Sequence, residues 1–319
     1  MMAAVVHSFE HPPAYERFDT PQPADPGEML VDVLAVALHP RTRSSADGSH
    51  YSSTGVLPMI PGFDGIARDP DGTLRYFILP DTHLGSMAQQ VVIDPRRSTP
   101  LPDATDIPAV AAAMNPGMSS WIALRRRIAF APGQSVLVLG ATGSAGQLAV
   151  QVAKHLGAGR VIAAGRNPQR LATAAQLGAD ATVSLLGDEE DADRALGEAA
   201  AEVDVVIDYL WGAASQRALP AIISHRADRS RPLTWIEIGS MSGLELTLPS
   251  AWLRAANLTI VGSGQGSVSA RDIVGELPAL AAAISSGRYR VDAVPTALSD
   301  VDTAWNAPLA PGERIVFIP

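Results

Sequence analysis

The chain has 319 residues, 47% of them hydrophobic and 18% charged, with a net charge of −9 and no cysteine. That length suits two domains with full cores. The acidic balance argues against a phosphate-backbone partner, because the one dense basic run, Arg125-Arg126-Arg127, reads as a solvated helix face. Without cysteine there are no disulfides, thiolate nucleophiles or cysteine-bound zinc, which fits a reducing cytoplasm.

The N-terminus lacks a basic segment leading into a long apolar core, and no run approaches about 18 uncharged apolar residues. Neither a signal peptide nor a membrane span is expected. To about residue 115 the chain reads as β-rich. Ala3–His7 forms a short opening strand, and Leu30–Val36 partly alternates apolar and polar residues, as a half-buried strand does. Proline and glycine punctuate the intervals as turns, at Pro21, Pro23, Pro26-Gly27, Pro58, Pro61-Gly62, Pro70 and Asp71-Gly72.

From Ile107 small apolar residues begin a helical region, and five strand-like runs separated by helices follow. These are Ser135–Leu139, Arg160–Ala164, Ala181–Ser184, Val203–Asp208 and Leu233–Gly239, with a sixth, Leu258–Gly262, after no obvious long helix. Strands alternating with helices predict a parallel sheet covered on both faces. The turn-rich tail from Tyr289 ends in the strand Arg314–Ile318, which returns the C-terminus to the first domain.

Within the second domain, Ser135–Leu139 is a mostly continuous apolar run, as a buried parallel strand is. Gly140-Ala141-Thr142-Gly143-Ser144-Ala145-Gly146 follows. A helix is predicted from about Gln147 to Leu156, with Leu148, Val152 and Leu156 on one face and Gly157 and Gly159 at its end. The first glycine permits a sharp turn, the second lets backbone approach a pyrophosphate, and the third allows close helix–strand packing. Free N–H groups and the helix dipole then hold phosphate. The G-x-x-G-x-x-G spacing departs from the usual G-x-G-x-x-G, and the strand–helix–strand context carries the assignment.

The end of the next strand chooses the dinucleotide. An NAD site places a carboxylate there for the ribose 2′-hydroxyl. Here Ala163-Ala164 runs into Gly165-Arg166-Asn167, with Arg170 one turn later and no carboxylate available. A guanidinium forks onto a 2′-phosphate, so NADPH is the expected cofactor, with Gly165, Arg166, Asn167 and Arg170 beside it.

The order of these features resembles the medium-chain dehydrogenase/reductase superfamily, in its zinc-independent quinone oxidoreductase-like branch. The resemblance rests on Pro61–Gly65, Gly85–Ala88, Pro132–Val138, the glycine loop, Leu177–Asp180, Val203–Asp208 and Gly312–Val316, and it covers nearly the whole chain. It implies an α/β protein: a Rossmann doubly wound parallel sheet over residues 116–264, plus a β-rich, GroES-like catalytic domain from residues 1–115 and 265–319. Zinc-dependent members carry a cysteine where this chain reads Ala35–Pro40, and Gly-His-Glu where it reads Gly62-Phe63-Asp64. His39 and Asp64 remain as candidate ligands, one short of a catalytic zinc set, so no metal is expected.

In such members the cofactor carries the chemistry and the protein orients and polarises. The resemblance implies hydride transfer to a quinone or to the β-carbon of an α,β-unsaturated carbonyl, a small-molecule electron acceptor. Donors rather than a strong base then stabilise the oxyanion. His39–Tyr51 resembles the family's cleft-lining loop. Tyr51 is the first candidate donor, with His50 and Arg41 behind it; each also has a bland reading, as a packing tyrosine, an exposed histidine and an ion pair with Asp47. Strand ends add Tyr209, Leu210 and Trp211, then Ile238, Gly239 and Ser240, as cofactor contacts. Relatives often have small residues where Tyr209 and Trp211 stand, so these aromatics would narrow the nicotinamide pocket or stack on a substrate, or else pack in the core. Asn115–Trp121 reads as the domain junction, and by resemblance Ser119 or Ser120 faces the cofactor. A homodimer through the strand near Leu258–Val261 is expected by resemblance. The alternatives are a non-catalytic NADPH-binding sensor or scaffold and a zinc-independent alcohol dehydrogenase.

Overall fold

The computed structural model describes residues 1–50, 53–264, 266–310 and 312–319. Two compact units form, Met1–Asn115 with Val274–Pro319, and Pro116–Ile273. The strands of the first unit are β1 (Met2–Val5), β2 (Ala14–Arg17), β3 (Met29–Ala37), β4 (Asp64–Arg68), β5 (Leu74–Ile78), β6 (Gln90–Ile93) and β7 (Ser98–Pro100). A short helix, α1 (Pro40–Ala46), follows β3, and a longer one, α2 (Ile107–Ile122), follows β7.

In the second unit, strands β8 (Ser135–Leu139), β9 (Arg160–Gly165), β10 (Ala181–Ser184), β11 (Val205–Asp208), β12 (Leu233–Glu237) and β13 (Leu258–Gly262) alternate with helices. The helices are α3 (Ser144–His155), α4 (Pro168–Gln176), α5 (Glu189–Ala200), α6 (Gly212–His225) and α7 (Ser250–Ala255). The chain closes with α8 (Ala270–Ser285), β14 (Asp292–Ala297), α9 (Val301–Ala304) and β15 (Glu313–Ile318).

The first unit is built on a mixed sheet in the order β14-β15-β3-β4-β5-β7, with β6 also paired to β3, and on the hairpin β1-β2. The C-terminal strand β15 runs antiparallel beside β3, with Val316 opposite Ala37. Its core gathers Val33, Phe77, Met87, Leu298 and Phe317, all buried. The alternation along β3 is imperfect because its C-terminal half is buried on both faces.

The second unit is a six-stranded parallel sheet in the order β10-β9-β8-β11-β12-β13. Strands β8, β9 and β11 are apolar and buried nearly throughout, as helices on both faces require. Leu137, Ile162, Val206 and Trp235 anchor one face. The order reverses between β8 and β11, and ligands of doubly wound sheets lie at the strands' carboxyl ends at such a switch point.

The structure differs from the sequence expectations in three details. The segment from His39 reads as a loop in sequence, but Pro40–Ala46 is helical with proline at its first position, where a missing N–H costs nothing. The helical region expected from Ile107 runs on through the junction itself, so the unit boundary at Asn115/Pro116 falls inside α2 rather than between elements. The return to the first unit falls at Val274, within α8, rather than at residue 265. No helix among the described residues is long and apolar enough to cross a membrane.

Candidate active site

The glycine loop leaves β8 through Gly140, whose φ of 85° lies in the left-handed region. Gly143 is the N-cap of α3 and makes no side-chain cap hydrogen bond, so no cap side chain covers that helix start. Added carbons distinguish the glycines. A Cβ on Gly146 would lie 2.2 Å from the Gly140 carbonyl oxygen, whereas one on Gly143 would meet only that oxygen, at 3.6 Å. Gly146 therefore seats α3 against the strand, and Gly143 keeps an open approach to the backbone. Thr142 packs on the end of β9, where a Cβ on Gly165 would come within 2.5 Å of its methyl.

The residues after β9 separate. Arg166 is exposed and makes no hydrogen bond or ion pair among the described residues. Asn167 caps α4, its side chain accepting from the Arg170 N–H at 3.0 Å. Arg170 is buried, and its guanidinium donates to Gln147 Oε1 on α3 while Gln147 Nε2 donates back to the Arg170 carbonyl at 3.1 Å. The structure thus uses Arg170 to clamp α4 to α3 and leaves Arg166 as the exposed fork. An uncapped helix start, open backbone at Gly143 and an exposed arginine after β9 fit the phosphates of NADPH.

Across the switch point, Asp208 ends β11 and is fully buried. Its Oδ1 accepts from the N–H groups of Leu210 and Trp211, at 2.8 and 3.0 Å. Its Oδ2 accepts from the Ser215 hydroxyl and, at 2.9 Å, from Trp235 Nε1. Sequence reasoning misses this carboxylate as an organiser of the turn; a lone acid closing an apolar strand is the available signal. Tyr209 is 8% exposed. Its hydroxyl lies 2.8 Å from Ser119 Oγ, which itself donates to the Pro116 carbonyl, so Tyr209 is the donor of the pair. Burial pushes the Tyr209 phenol up to about 12, outweighing the lowering influence of the neighbouring Ser119 and Ser120 hydroxyls, so it stays protonated at neutral pH. Ser120 is buried and donates to the Gly117 carbonyl at 3.2 Å. The N–H groups of Ile238 and Gly239 both donate to the Asp208 carbonyl, at 2.8 and 3.2 Å, and Ser240 is exposed.

In the first unit, Arg41 lines a pocket with Ser45, Thr54, Phe63, Asp81 and Thr82. Its guanidinium stacks 4.1 Å from the Phe63 ring centroid and pairs with Asp81 at 3.0 Å, so the ion pair of its bland reading forms with Asp81 instead of Asp47. His50 is half-buried, and burial and the Arg41 charge hold its imidazole below the ordinary range against Asp81. Tyr51 lies outside the described residues.

Behind Phe63 sits a sealed polar quartet. Arg314 Nη1 donates to His39 Nδ1, which places the ring hydrogen on Nε2, 3.3 Å from Asp64 Oδ1; Tyr76 donates to Asp64 Oδ2 at 2.7 Å. His39 is 1% exposed and Asp64 2% exposed. His39 and Asp64, the two candidate zinc ligands, are thus turned toward each other. No three His, Cys, Asp or Glu side chains among the described residues could together hold a metal ion.

Burial, ahead of the Arg314 and Arg41 charges, lowers the His39 pKa despite Asp64. The unfolded chain therefore binds more protons below about pH 6.5. The His39 contribution to stability is present above that pH and is lost as pH falls below it. Thermal unfolding between pH 8 and 5 should show this decline, and H39Q, which cannot titrate, should flatten it; equal slopes would count against the assignment.

Residues 145–279 match a family model described as zinc-binding dehydrogenase. The whole chain aligns with the whole of a probable NADPH-dependent quinone reductase, tdiC, of Emericella nidulans, 30% identical over 360 aligned positions. A 2-haloacrylate reductase of a Burkholderia species is 25% identical, over 83% of this chain and 85% of its own. Among solved structures, the quinone oxidoreductase of Thermus thermophilus shares the fold at a TM-score of 0.82 and 23% identity, covering 100% of both chains. With the switch-point site and the β-rich unit in place, the chain belongs to the medium-chain dehydrogenase/reductase superfamily, in its quinone oxidoreductase-like branch.

Proposed function

We propose that this protein is an NADPH-dependent oxidoreductase that reduces a quinone or an α,β-unsaturated carbonyl with no metal in the step. The observation that carries the reading is the exposed Arg166 guanidinium just past the end of β9, whose neighbour β8 runs through the glycine loop into the uncapped start of α3. Whole-length similarity to a probable NADPH-dependent quinone reductase supports it.

Gly143, Ser144, Ala145 and Gly146 would hold the pyrophosphate and Arg166 the 2′-phosphate, with Thr142, Gly165 and Asn167 shaping the adenosine end. The nicotinamide end would lie along Tyr209, Leu210, Trp211, Ile238, Gly239 and Ser240, with Ser119 holding the Tyr209 hydroxyl. Bound there, NADPH supplies a hydride from its nicotinamide. The chain's own part is to orient, exclude water and offer donors to the oxygen that gains charge. Arg41 and His50 are our candidates for that contact, because Arg41 keeps part of its guanidinium at the surface of its pocket.

A cytoplasmic homodimer belongs to the same proposal. The edge strand β13 pairs with β12 along one side, and Leu258, Ile260 and Val261 are only half-buried. NADPH oxidation against a panel of quinones and enones tests the activity. Turnover with at least one acceptor is expected; binding of NADPH with no turnover on any of them would favour a sensor or scaffold.

A further inference from the structure

Trp211 is the one non-glycine residue with positive φ among those described, at φ 50° and ψ −159°. That backbone region belongs almost wholly to glycine, since a Cβ there meets the chain's own carbonyls. The surroundings hold it in place. Asp208 ties down the N–H groups of Leu210 and Trp211 from behind. From the other side, the Met241 N–H donates to the Tyr209 carbonyl at 3.2 Å, and the Ser242 N–H to that of Leu210 at 2.7 Å. Gly212 follows so closely packed that an added Cβ would come within 2.6 Å of Gly243 Cα and the Ser242 carbonyl oxygen. The turn has no slack, so the strain persists whatever side chain stands at 211.

Core packing accounts for only part of a tryptophan there. The indole is only half-buried against the core below, and Met241 beside the turn is 77% exposed. Backbone strain of this kind collects at functional sites. The turn stands at the carboxyl ends of β11 and β12, across the switch point from Arg166. With the 2′-phosphate read after β9, the nicotinamide end of the cofactor falls on this side, and an acceptor must come within reach of it.

We propose that Trp211 is a specificity-determining residue, whose indole forms an apolar wall that favours planar, fused-ring quinones over single-ring ones. This rests on the reductase reading above. An indole stacks on a flat π-system in proportion to the ring area it covers, and a fused-ring acceptor presents more of it.

The test is the ratio of kcat/KM for phenanthrenequinone to that for benzoquinone, in wild type, W211F, W211A and W211G. A change in NADPH affinity affects both quinones alike and cancels from the ratio. The ratio should fall about tenfold in W211A and W211G, equivalent to about 1.4 kcal/mol, and less in W211F. W211G should also unfold a few degrees above W211A, because both lose the indole and only glycine relieves the backbone. Should W211A fail to fold, W211F and W211G read the same ratio. A ratio within about twofold of wild type in every variant that folds would overturn the inference while leaving the reductase reading intact. A wild type that binds NADPH but reduces neither quinone nor any enone overturns both.

Discussion

Replacing Arg166 by alanine is expected to raise the Kd for NADPH roughly 30-fold and to leave that for NADH within about twofold. The magnitude follows from a charge-assisted contact between guanidinium and phosphate, worth about 2 kcal/mol when the partner charge is left without it. Arg166 is exposed and unpaired among the described residues, so the wild-type side chain gives up no internal bond on binding. Arg170 serves as the contrast. Its guanidinium is committed to Gln147, and R170A should lower stability by loosening α4 from α3 without separating the two cofactors. Titration of both variants with both cofactors measures this. Equal losses of NADPH and NADH in R166A would show that another group reads the 2′-phosphate.

The second large effect divides the glycine loop. In G146A the new methyl would stand 2.2 Å from the Gly140 carbonyl oxygen and 2.7 Å from Ala141 Cα, both backbone atoms that yield only if the loop moves. We expect a loss of about 3 kcal/mol, seen as a fall in Tm of roughly 10 °C, with cofactor binding weakened in step. In G143A the methyl has ordinary contact distance, 3.6 Å, to its nearest atom, and Gly143 has a φ of −81° that alanine adopts freely. That variant should unfold within about 1 °C of wild type yet bind NADPH at least a hundredfold more weakly, because the methyl would stand where the proposed pyrophosphate site meets backbone. Thermal unfolding without ligand, followed by NADPH titration, separates the two. Normal NADPH affinity in G143A would move the pyrophosphate away from that N–H.

Much of the second unit is legible in sequence because its signals are local. Ser135–Leu139, buried nearly along its length, must be apolar, and the edge strands Ala181–Ser184 and Leu258–Gly262, only partly buried, are set off by β-branched residues; all three stand in the structure with the bounds read from sequence. The order of glycines, the strand after them and the missing carboxylate at Gly165–Asn167 are contiguous features. The helix after the loop begins at Ser144 rather than Gln147, because its first turn, Ser144-Ala145-Gly146, carries no apolar stripe to read in sequence.

Other features depend on residues far apart in the chain. Arg166 and Arg170 look alike in sequence, and only the packing of α4 on α3 sends one into Gln147 and leaves the other in solvent. His39 is held by Arg314, 275 residues away, and reaches Asp64 and Tyr76 only through the strand pairings of the first unit. The strain at Trp211 arises from two loops meeting at the ends of β11 and β12. The sequence by itself determined the two-domain class, the nucleotide loop and the expectation of NADPH. Periodicity, turn chemistry and a missing acid are properties of neighbours along the chain. The tertiary structure alone decided which arginine is exposed, which histidine is buried neutral and which tryptophan is held under strain, because burial and hydrogen-bond partnership are set by neighbours in space.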